Sequence, residues 1–75
     1  MKELDTVILN KNIKEHNLKK GDLGTIVHIY ENGKTLEVEF ITTKGKTLAV
    51  LTLNRADIRP MVKDEILHVR GFASI

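Results

Sequence analysis

Apolar residues occur in short runs separated by Gly, Asn and Lys. That spacing predicts strands. No window of about eleven residues keeps a helical period. Thr6-Val7-Ile8-Leu9 is the first expected strand, β-branched and bounded by Asp5 and Asn10. Asn10 to Asp22 is polar apart from Ile13 and Leu18, so it reads as a long loop pinned to the core by those two. Gly21 and Gly24 suit a tight turn or a bulge where the chain enters a strand. Thr25 to Tyr30 is the second strand, with apolar residues on both faces, as a central and strongly bent strand requires.

Asn32-Gly33, between two strand-like runs, predicts a type I′ hairpin, which needs positive φ at both central residues. In the third strand, Thr35 to Ile41, Leu36, Val38 and Phe40 alternate with Glu37 and Glu39. One face is therefore buried and the other acidic and wet. Thr42 to Lys46 is a second turn, and Thr47 to Leu53 a nearly all-apolar fourth strand. Asn54-Arg55-Ala56-Asp57 reads as a single 3-10 turn capped by Asn54. Ile58 to Met61 closes the set, with Pro60 restricting it to an edge or an end.

Five short strands in so small a chain point to an all-β, SH3-like, five-stranded bent barrel, with a long first loop and a 3-10 turn before the last strand. Curling into a barrel is how small all-β domains remove their edges. Residues 1–62 form the barrel on this reading, and residues 63–75 a C-terminal appendage, an extra strand or a short helix plus tail.

Length and composition then narrow the classes. Seventy-five residues make one domain, and such a chain buries only about 60% of its unfolded surface. It has no Cys, which removes disulfides, thiol catalysis and Cys-ligated metals. No apolar run reaches the roughly 20 residues of a membrane span, and the charged start lacks a signal-peptide core. The expected location is cytoplasmic, with no membrane partner.

No motif for catalysis, cofactor or metal stands out. His16, His28 and His68 lack metal-ligand spacing; His16 in the loop and His68 in the tail are expected to be solvated, and His28 half-buried. Glu37 and Glu39 share a face, but as a charged outer strand face flanked by Lys34 and Lys46 rather than an acid–base pair. The expectation is no enzyme, no cofactor and no metal.

The residue pattern also resembles a known family. Glu3 to Leu9, Leu18 to Tyr30, Leu36 to Phe40, Ala49 to Leu53, Asp57 to Pro60 and Asp64 to His68 are similar in order and spacing to an uncharacterised family of small bacterial SH3-like barrel proteins. The Gly21-Asp22-Leu23-Gly24-Thr25-Ile26-Val27 stretch more distantly resembles KOW modules of ribosomal proteins and transcription factors, and small barrel subunits of photosynthetic and hydratase complexes. This resemblance implies a binding or accessory module, with an antitoxin-like role among its implications.

Two binding readings follow. In the first, the chain binds a partner protein. Tyr30, Arg55 and Arg59 are residue types enriched at hot spots, and Ile66, Leu67 and Phe72 of the tail supply apolar area, whether toward a partner or a second copy of the chain. In the alternative, a KOW-like module binds nucleic acid through Lys14, Lys19, Lys20, Lys44 and Lys46.

Overall fold

The structure, a computed structural model, describes residues 1–42 and 44–62. Its strands are β1 (Thr6–Leu9), β2 (Leu23–Ile29), β3 (Thr35–Ile41), β4 (Thr47–Asn54) and β5 (Ile58–Pro60). They form one antiparallel sheet in the order β4-β3-β2-β1-β5. Among the described residues this sheet is open, with β4 and β5 as its edges. The all-β class of the sequence reading therefore holds, whereas among the described residues no ladder closes the expected barrel. The expected 63–75 appendage lies outside the described residues.

Alternation decides which face is buried. Leu36, Val38 and Phe40 of β3 point inward with Val7, Leu9, Ile26, Leu53 and Ile58, and form the core with Leu18. Ile13 and Leu18 bridge to each other, Ile13 N–H donating to Leu18 O at 2.8 Å. They pin the long β1–β2 connection as its sequence predicts. Between them lies a 3-10 turn, Lys14–His16, that the polar sequence does not announce.

Three local predictions are corrected. β2 starts at Leu23 rather than Thr25, so Gly24 lies within the strand. A side chain there has no room, because a Cβ would sit 2.6 Å from Val38 Cγ1 and 2.9 Å from the Phe40 ring. The β2–β3 connection is not a type I′ turn. Gly33 has positive φ but Asn32 does not. Glu31 to Lys34 instead make a four-residue loop, with Gly33 N–H on Tyr30 O and Tyr30 N–H on Thr35 O. Asn32 Oδ1 accepts from the N–H groups of Lys34 and Thr35, which is how a short polar side chain replaces the second left-handed residue. Finally, His28 is exposed, not half-buried, because a bulge between Ile26 and His28 turns it to the outer face.

The 3-10 turn Arg55–Asp57 joins β4 to β5 where the sequence expects it. The Asp57 carboxylate accepts from Asn54 N–H at 3.0 Å, and Asp57 O accepts from Asn10 N–H at 2.8 Å.

Candidate functional site

The outer face of β2, β3 and β4 carries the polar chemistry. Cross-strand register sets Glu37 beside His28 and Thr52, and Glu39 beside Thr25 and Val50. Both glutamates are half-buried rather than fully wet. Tyr30 Oη donates to Glu37 Oε1 at 3.0 Å, and the Thr52 hydroxyl donates to the same oxygen. Thr47 Oγ1 donates to Glu39 Oε2 at 2.9 Å. Among the described residues neither Glu37 nor Glu39 forms an ion pair, with the flanking Lys34 and Lys46 or with any other cation. The Tyr30 phenol is held above its ordinary pKa, first by its hydrogen bond to Glu37, then by burial and by the Glu37 charge. The His28 ring meets Tyr30 edge-on, with centroids 4.8 Å apart, and His28 Nδ1 lies 3.7 Å from Glu3.

Apolar side chains interrupt this polar face. Val50 and Ile41 are each 51% exposed. Val50 lies on β4, whose outer edge has no strand beside it among the described residues. An open cleft of about 540 Å³ runs between that part of β4, at Leu51, Thr52 and Leu53, and the Lys11–His16 segment of the β1–β2 connection.

The residues singled out from sequence fall in different places. Tyr30 is 41% exposed on the outer face. Arg55 is half-buried and its Nε donates to Gly33 O at 2.8 Å, which ties the 3-10 turn to the β2–β3 loop. Arg59 is half-buried on β5, with Nη1 donating to Pro60 O. Ile66, Leu67 and Phe72 lie outside the described residues. Lys14 lines the cleft. Lys19 and Lys20 follow it on the same connection, while Lys44 and Lys46 sit on the β3–β4 turn; all five are exposed.

Sequence reasoning missed Val50, Ile41 and the β4 edge. The signal was there: Thr47 to Leu53 is apolar at successive positions, including those that must face outward. Among the described residues no three His, Asp or Glu side chains converge as a metal site requires. Among the described residues no helix is long and apolar enough to cross a membrane.

The class defined by this geometry is a small antiparallel sheet protein with its chemistry on one open face and one edge. A family model described as a domain of unknown function (DUF4926) matches residues 3–60, which takes in all five strands, and the chain belongs to that family. No curated protein and no solved structure matches it.

Proposed function

We propose that the chain is a non-enzymatic protein-interaction module in the cytoplasm, binding a partner protein in an accessory or antitoxin-like role. One observation supports this above the others: among the described residues β4 offers an unpaired, eight-residue edge beside exposed Val50 and Ile41. Edges of this kind are templates for strand addition. The SH3-like reading of the fold is part of the proposal. It is supported by the strand order, the long β1–β2 connection and the 3-10 turn before β5. The bulge in β2 supplies the bend such a barrel needs.

Nucleic-acid binding is the second reading. In an antiparallel meander the β1–β2 and β3–β4 connections open at one end of the sheet, and these connections carry Lys14, Lys19, Lys20, Lys44 and Lys46. Glu37 and Glu39 on the outer face would repel phosphates, so the lysine loops alone would have to serve.

The test is a pull-down from the native host with the tagged full chain and its Val50→Lys variant, washed at low and high salt. The interaction reading expects one protein retained at both salts by the native chain and lost with Val50→Lys. Nucleic acid recovered only at low salt would favour the second reading, since phosphate contacts weaken steeply with salt.

A further inference from the structure

The β4 edge also constrains the chemistry of what it can receive. We propose that this edge, at Val50 and Thr52, takes an extended segment of a partner protein in which apolar and basic residues alternate. This inference rests on the interaction-module reading and names the partner's chemistry.

The edge is identified by hydrogen-bond alternation. Arg55 N–H donates to Lys34 O at 2.8 Å, just outside the β3–β4 ladder. In an antiparallel pair, bonded and non-bonded positions alternate. With the observed register, Leu36–Leu53, Val38–Leu51 and Phe40–Ala49 are the bonded pairs. The peptide groups of Val50 and Thr52 therefore point away from β3, toward the open edge. A strand added there would lie about 4.8 Å away, alongside the cleft bounded by Ile13 and Leu51.

Each face of that added strand would meet different surroundings. Its inward side chains would lie against Leu51 and Ile13, which pack on the core, so they must be apolar. The cleft rim does not oppose this with net charge: Lys11 lies 3.3 Å from Asp57, and Lys14 is followed by Glu15. Outward side chains would neighbour Val50 and Thr52, with Glu37 and Glu39 one strand further on, about 10 Å away. An extended Lys or Arg side chain spans most of that gap. Both glutamates accept hydroxyl hydrogen bonds and neither forms an ion pair among the described residues. Basic residues on the outward positions complete the face, and acidic ones are repelled.

The chain itself contains such a pattern: in sequence, Leu67 and Val69 alternate with His68 and Arg70. A foreign segment must therefore be distinguished from the chain's own residues and from a second copy.

Amide hydrogen exchange on the full chain does this. Exchange at Val50 and Thr52 is followed against Leu51 and Leu53, alone and with synthetic peptides alternating Val with Lys or Val with Glu. The expected result is fast exchange at Val50 and Thr52 in the free chain. The Val/Lys peptide should slow both amides about tenfold at about ten times its Kd, and the Val/Glu peptide should not. Glu37→Gln with Glu39→Gln should weaken the Val/Lys effect, with unchanged Leu51 and Leu53 protection showing that the variant is folded.

Four outcomes overturn the proposal. Slow exchange in the free monomer means the chain's own residues occupy the edge. Slowing that grows with protein concentration means a second copy does. Equal slowing by both peptides removes the charge selection. If a host protein is retained in the pull-down while both amides still exchange fast in its presence, this site fails but the interaction-module reading stands.

Discussion

β5 is three residues long, contains Arg59 and ends in Pro60, whereas β4 at the opposite edge runs for eight residues with no proline and no charged side chain. Shortness, charge and proline are the usual means of blocking unwanted strand pairing. One edge carries all three and the other carries none. The contrast separates an edge built to end the sheet from one able to extend it. Size and marginal stability cannot explain it, because both edges belong to the same small domain.

The comparison holds only if both edges rest on one core. Phe40 tests this most severely. It is 1% exposed on β3, and its ring packs over Gly24 of β2. Phe40→Ala should cost about 3–5 kcal/mol, against a total stability of about 4–11 kcal/mol for a chain of this length. Urea denaturation should show one cooperative transition moved far down. Two separate transitions would mean that the edges are supported independently, and the contrast would lose its force.

Gly24→Ala is the next largest change. The added methyl would meet Val38 Cγ1 at 2.6 Å, and overpacking of this kind costs about 1–3 kcal/mol. Adding Val38→Ala should recover part of the loss. If the pair is merely additive, the two sites do not touch as described.

These two residues also show what was legible in the sequence. Phe40 could be read as core, because β3 alternates cleanly with one wet face. Gly24 could be read only as a turn or bulge glycine, since sequence does not show that Val38 and Phe40 cross over it. All five strands could be located because β-branched runs and turn residues are local signals. The Asn32 turn type is not legible from Asn-Gly alone, because its geometry depends on which backbone N–H groups the side chain captures. The candidate site was least legible. Whether β4 has a neighbour is a property of topology, and periodicity in one segment cannot supply it. Residue type alone marks Arg55 as a binding residue, whereas in the fold its Nε donates to Gly33 O.

A smaller effect sharpens the edge contrast directly. Val50 is 51% exposed and its backbone bonds are not made to β3. Val50→Lys should therefore change stability by no more than about 0.5 kcal/mol, while placing a charge on the open edge. Chemical denaturation gives the first quantity, and loss of partner retention the second. A large destabilisation would show that Val50 is part of the core, so that the β4 edge is not free in the sense argued.

The last effect is spectroscopic. Tyr30 is the sole tyrosine and there is no Trp, so phenolate absorbance reports this residue alone. Its hydrogen bond to Glu37, helped by burial and by the Glu37 charge, raises its pKa above 10.0. A raised folded value means folding favours the protonated phenol. The contribution to stability is present below the unfolded pKa and is lost as pH climbs through the folded one. Alkaline titration should therefore give a midpoint above that of the urea-unfolded chain. Glu37→Gln keeps an acceptor but removes the charge, and should return the midpoint toward 10.0. Glu37 also accepts from Thr52 on β4, so the titration reads the face that borders the open edge. A Val/Lys peptide seated on that edge would bring ammonium groups toward Glu37 and lower the Tyr30 midpoint in the same direction. A midpoint that moves with neither change would detach Tyr30 from Glu37, and with it the link between the outer face and β4.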